Sequence, residues 1–208
     1  MRRFIAIRAA VFFACLIPFL RLAFDAVTDN LGANPIEAIT RFTGVWTLIF
    51  LLITLGVTPL RKTTGWYWLI KLRRMLGLFA FFYACLHFAT YIVLDQFFAA
   101  EEILKDIAKR PYVTVGFVSF LLLIPLAITS TSTMIRRLGK HWQKLHRIVY
   151  PIAIGGVVHF LWLVKADIRR PSVYAGVLAV LLGYRLFAYL QARVGAREAR
   201  RGVLVSSR

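Results

Sequence analysis

The chain has 208 residues, 60% of them hydrophobic, with a mean hydropathy of +0.70 and a formal net charge of +18. Soluble domains are nearer half apolar, so this composition excludes a soluble globular protein. Nucleic acid is excluded as the reason for the charge, because the basic residues stand in short clusters between apolar runs, as membrane topology requires.

Six apolar stretches of spanning length follow one another. Met1-Arg2-Arg3-Phe4 leads into the first, about 4–24, and resembles a signal peptide. No small-x-small site follows; Arg21 and Asp25 stand there instead, spaced to pair, so the run reads as an uncleaved span. Residues 25–41 are expected to form a polar loop. Span 2 covers about 42–60. The connection 61–74 mixes Arg61, Lys62 and Lys71 with Trp66, Tyr67 and Trp68, the pattern of a short helix on the membrane surface. Span 3 covers about 75–96. Residues 97–112 carry Glu101, Glu102 and Asp106. Span 4 covers about 112–130 and contains Pro125, and a strongly basic stretch, 131–147, follows it. Span 5 covers about 147–164, with Pro151 and Gly155-Gly156. A loop from Lys165 to Ser172 leads to span 6, about 173–191, and then to a basic segment. No internal repeat is evident. Cys15 and Cys85 lie inside apolar segments, where they read as small buried hydrophobes rather than a disulfide.

Lysine and arginine in the loops set orientation. The segments around Arg2, 61–74, 131–147 and beyond 192 are basic and fall on one side of a six-span bundle; the other side holds every acidic residue but Glu198. Both termini are therefore expected in the cytoplasm, with the whole chain forming one all-α membrane domain. Spans 3 and 5 then run outward in parallel.

On those two spans lie His87 and His159. Each is twelve residues from the start of its span, roughly 18 Å from the cytoplasmic edge at about 1.5 Å per residue. An ionisable side chain at that depth is a functional-site candidate with a partner to be found. Two neutral imidazoles at one level suit both axial positions of one haem iron, which favours electron transfer over oxygen chemistry. The competing reading is that they only hydrogen-bond helices together, which predicts a colourless protein. A proton path would recruit buried carboxylates, and no Asp or Glu stands well inside a span.

His146 lies at the other end of span 5. Thirteen residues turn a helix by about 220° beyond whole turns, so His146 and His159 share a face only if Pro151 changes the phase. A second haem there would look for a ligand on span 3 at Arg73, beside Arg74, and arginine is not a haem ligand. Arg73 and Arg74 suit a haem propionate or a flavin or quinone headgroup instead. His141 is interfacial. The aromatics around His87 (Phe79, Phe81, Phe82, Tyr83, Phe88, Tyr91) suit both bundle packing and a haem wall. No Walker A, G-x-G-x-x-G or H-E-x-x-H motif occurs, and no nucleotide-binding domain is expected after span 6, so the reductant is expected to come from another molecule.

Several stretches together resemble the MsrQ (YedZ) family, within the ferric-reductase-like transmembrane domains. They are Arg73-Arg74-Met75-Leu76-Gly77-Leu78, Tyr83-Ala84-Cys85-Leu86-His87, Arg110-Pro111-Tyr112, Pro125-Leu126-Ala127-Ile128-Thr129-Ser130, Arg137-Leu138-Gly139 through Trp142, Leu145-His146-Arg147, and His159 with Trp162-Leu163-Val164-Lys165. The resemblance implies a b-type haem subunit in the bacterial inner membrane, with His87, His146 and His159 as the family's histidines. It implies that electrons pass to a periplasmic molybdopterin partner, MsrP, which reduces methionine sulfoxide. The donor would be quinol or a cytoplasmic flavin reductase, and flavin mononucleotide (FMN) is associated with the family. Larger relatives carry two histidines on the helix matching span 3, and this chain has one. The alternatives to this relay are a stand-alone ferric or quinone reductase and a non-redox membrane scaffold.

Overall fold

The computed structural model describes residues 2–164 and 167–206, and of 196–206 the backbone only. Among them are α1 (Arg2–Val27), α2 (Pro35–Thr64), α3 (Arg73–Thr90), α4 (Ala100–Lys109), α5 (Pro111–Ile128), α6 (Ser132–Leu138), α7 (Lys140–Leu145), α8 (Val149–Leu163) and α9 (Arg169–Ser206), with no strand. Six segments are long and apolar enough to cross a membrane: Arg2–Val27, Pro35–Thr64, Arg73–Asp95, Pro111–Ile128, Lys140–Leu163 and Arg169–Gly195. These match the six expected spans in number and order. Lys165, the end of the span 5 motif, lies outside the described residues.

Helix α2 starts well before the expected position 42, so much of the expected 25–41 loop is helical. The local chemistry explains this. Asn34 caps the helix by accepting the Glu37 N–H at 3.2 Å, and Pro35 occupies the first turn, where its missing N–H is not needed. The helix ends at Gly65, whose φ of 73° is the left-handed cap that glycine adopts without a Cβ penalty. The surface helix expected over 61–74 is accordingly the last turn of α2 followed by a 3₁₀ turn, Tyr67–Lys71. Pro151 sits in the first turn of α8, where a missing N–H is harmless, so it does not supply the kink considered for span 5. The chain changes course before it, at Gly139 (φ 49°) and through the 3₁₀ turn His146–Ile148.

Helix α2 packs along α3 and α5 along α8, and these two pairs form the centre of the bundle. Leu55, Ala80, Tyr83, Ile152 and Ala153 are fully buried there. Tyr83 stacks on Phe50 at 5.3 Å and inserts its hydroxyl into α1. That hydroxyl accepts from the Phe19 N–H at 3.0 Å and donates to the Cys15 carbonyl at 2.9 Å. It bridges an i→i−4 bond left open next to Pro18, a helix ladder with a side chain inserted. Phe13 and Phe24 on α1, and Val180 and Leu186 on α9, are exposed. Large apolar side chains spread along these outer helices suit contact with lipid.

Candidate functional site

The two central helix pairs meet around a cavity of about 310 Å³, lined by His87, His159, Phe88, Phe117, Phe120 and Ile152 among others. That volume is within the range of small-molecule sites, and its lining is mostly apolar. His87 lies in the last turn of α3, just before the π turn Tyr91–Asp95, a local widening often found at functional sites. His159 lies on α8. Their ring centroids are 6.2 Å apart and their planes are at 81°.

Each ring is fixed by its Nδ1. His87 Nδ1 lies 2.9 Å from the Thr40 carbonyl, and His159 Nδ1 lies 2.7 Å from the Tyr112 carbonyl. A carbonyl only accepts, so Nδ1 carries the proton in both rings and Nε2 keeps its lone pair. That tautomer suits Nε2 metal ligation with a carbonyl orienting the ligand from behind. No hydrogen bond from a described residue reaches either Nε2. A ligating imidazole nitrogen sits about 2 Å from its metal and the ring centroid about 1.1 Å further, so two imidazoles on one metal have centroids roughly 6.3 Å apart. The observed spacing fits that value. The residues present therefore fit a haem iron held between His87 and His159. Among the described residues no cluster of three or more His, Cys, Asp or Glu competes as a metal site.

The two arrangements repeat one another. Thr40 and His87 are 47 residues apart, as are Tyr112 and His159. Gly44 stands one turn after Thr40, and Gly116 one turn after Tyr112. The sequence reading finds no repeat because the likeness lies in backbone placement, with little shared beyond the glycine and the His-Phe pair. The copies differ in one polar contact: Thr43 Oγ1 lies 3.4 Å from His87 Nδ1, and no hydroxyl matches it at His159.

Two arginines to which the sequence gives no role, Arg41 and Arg110, line the same cavity. Both are exposed and paired within their own turn, Arg41 with Glu37 and Arg110 with Asp106 at 3.3 Å. Tyr112 and, after it, Asp106 push the Arg110 guanidinium above its usual range, so it stays a cation at the cavity mouth. The π turn is tied to α4 by Tyr91, whose hydroxyl donates to Asp106 at 3.4 Å.

Arg73 and Arg74 begin α3 and do not line this cavity. Arg74 is exposed and reaches Ser132 Oγ at 3.5 Å. Arg73 is within electrostatic reach of His146, Tyr150 and Arg185. His146 packs edge-on against Trp142, with centroids 3.9 Å apart, and its Nε2 is buried with no partner. His141 is exposed.

Arg185 is the other residue that the sequence reading passed over. It projects from α9 into the bundle, and its Nη2 donates to the Leu55 carbonyl at 2.7 Å. The helical partner of that carbonyl would be the N–H of residue 59, which is proline, so Arg185 satisfies an acceptor that Pro59 orphans. Its Nη1 donates to the Tyr150 hydroxyl at 2.5 Å. A charged residue inside an apolar run was the signal that could have found it.

A family model described as the ferric reductase like transmembrane component matches residues 42–157. The chain is 57% identical, over 90% of its length and 87% of the relative's, to a Herminiimonas arsenicoxydans protein named protein-methionine-sulfoxide reductase heme-binding subunit MsrQ. A protein of that name from Azospira oryzae is 57% identical over 89% of this chain and 80% of its own. One from Rhodospirillum rubrum is 53% identical over 91% and 92%. No solved structure matches the chain.

Proposed function

The chain belongs to the MsrQ family of ferric-reductase-like membrane proteins, and on that premise we propose that it is a b-type cytochrome subunit that relays electrons across the bacterial inner membrane. In this reading one membrane domain, with both termini cytoplasmic, takes electrons from quinol or a cytoplasmic flavin reductase. It delivers them to a periplasmic molybdopterin methionine sulfoxide reductase of the MsrP type. Methionine sulfoxide is reduced on that partner, so this chain is the electron-transfer subunit and not the substrate-reducing enzyme.

The observation that carries the reading is the pair of facing imidazoles, with centroids 6.2 Å apart and both Nδ1 atoms held from behind. A haem bound between them supplies a one-electron redox couple. His87 and His159, one from each central helix pair, would hold its iron. Phe88, Phe117 and Phe120 keep the cavity apolar and exclude water. Arg41 and Arg110 at its mouth suit the carboxylates of such a group. His146, with its unpaired Nε2, remains the residue for a second haem. Arg73 and Arg74, joined now by Arg185, suit a propionate or the headgroup of FMN or a quinone.

The test is reoxidation. The purified, haem-loaded chain is reduced with a quinol, then mixed with the periplasmic molybdoenzyme and methionine sulfoxide. The reading expects the reduced absorption bands to vanish only when both are present. Bands that persist with both present, and vanish with a ferric chelate alone, would establish a stand-alone ferric reductase instead. A colourless purified chain would favour the scaffold.

A further inference from the structure

The acceptor of each histidine Nδ1 is a main-chain carbonyl inside a helix, and such a carbonyl is normally screened. A helical Cβ leans toward the N-terminus, so a side chain covers the turn before its own Cα. The residue four places after a carbonyl therefore roofs that carbonyl. At both histidines the roofing residue is glycine: Gly44 over Thr40 and Gly116 over Tyr112.

The space is fully used. A Cβ built on Gly44 would lie 3.0 Å from His87 Cε1 and 3.1 Å from Nδ1. One built on Gly116 would lie 2.7 Å from His159 Nδ1 and 3.0 Å from Cε1. Neither glycine has a positive φ, so backbone conformation does not require glycine here. The imidazole does. Glycines of the bundle away from this cavity have room: a Cβ on Gly56, on the same helix as Gly44, would meet Leu181 at 3.9 Å, and one on Gly77, on the same helix as His87, would meet Thr54 at 3.8 Å, ordinary contacts.

We propose that Gly44 and Gly116 are positioning residues for the two axial imidazoles, each opening a helix carbonyl so that it can hold Nδ1–H and fix the ring's rotation. The proposal rests on His87 and His159 being the haem ligands. A strong Nδ1–H···O=C bond raises the basicity of the ligating Nε2 and so favours ferric over ferrous iron. The two glycines then set both the angle between the imidazole planes, 81° here, and the reduction potential. The effect is graded. At Gly116 the added carbon would strike the bonding nitrogen itself, whereas at Gly44 the nearest atom is the neighbouring ring carbon.

The test uses the full-length, haem-loaded chain and its Gly44→Ala, Gly116→Ala, Gly56→Ala and Gly77→Ala variants. Two quantities are read: the g-value anisotropy of the ferric low-spin signal, which follows the angle between imidazole planes, and the midpoint potential. Gly116→Ala is expected to change the anisotropy and raise the potential. Gly44→Ala is expected to do the same by less, and the two control glycines to leave both unchanged. Native values in both Gly44→Ala and Gly116→Ala, or equal shifts in the controls, would overturn the proposal. So would lowered stability with unchanged signal and potential, since that is a packing role alone. Where Gly116→Ala yields no folded protein, Gly44→Ala decides, because its contacts ask the ring to give by only a few tenths of an ångström. Failure of the ligand assignment looks different: the unmodified chain would then lack a bis-imidazole signal, or would keep it in both His87→Ala and His159→Ala.

Discussion

The two ends of the central bundle treat their polar groups differently. At the two-histidine end, the Nδ1 atoms of His87 and His159 have carbonyl partners and the Nε2 atoms are left toward an apolar cavity. At the arginine end, His146 Nε2, Arg61 Nε and Arg185 Nε are buried without partners. Buried polar atoms almost always have a partner, and an orphan calls for an explanation. The first end is complete in itself except for what would sit between the rings. The second is built from donors, and no described ion pair brings a carboxylate to it. A cofactor's metal suits the first end, and a carboxylate or phosphate suits the second.

Substitutions can break or sharpen that contrast. The largest loss of stability is expected from Arg185→Met, which leaves the Leu55 carbonyl with neither a helical donor nor a side-chain one. Stranding a buried acceptor costs about 1–3 kcal/mol, read as a lower unfolding temperature in detergent, while the spectrum of the two-histidine end stays native. Tyr83→Phe is expected to cost less, about 1 kcal/mol, because Phe19 N–H and Cys15 C=O can partly re-form their own helix bond; denaturant titration measures it. His146→Ala is expected to leave the signal from the His87–His159 pair unchanged in electron paramagnetic resonance, and any haem it does lose belongs to the arginine end. His141→Ala, at an exposed site, should be silent in both stability and spectrum.

The same contrast explains what could be read in the chain. Six spans were legible because about twenty apolar residues are needed to cross a bilayer, and loop charges mark the breaks. The meeting of His87 and His159 followed from equal depth on parallel spans. The atoms that orient them were hidden, because every residue carries a carbonyl and nothing in the identity of Thr40 or Tyr112 marks theirs as the acceptors. Thr40 was doubly obscured, since its segment read as a loop; Asn34-Pro35 with Glu37 was the available signal for a helix start. Gly44 and Gly116 look like any of the other glycines until the histidine rings are placed. Arg185 was legible in principle as a charge within an apolar run, but its role depends on Pro59, far away in sequence.

The central claim is that His87 and His159 grip one haem iron from opposite sides. The direct measurement is the ferric visible and paramagnetic resonance spectrum, with haem-to-protein stoichiometry, of the purified chain and of its His87→Ala and His159→Ala variants. The account predicts a six-coordinate low-spin haem in the native chain, and loss of that bis-imidazole signal in each single variant. An unchanged Soret band and an unchanged low-spin signal in both variants would contradict it.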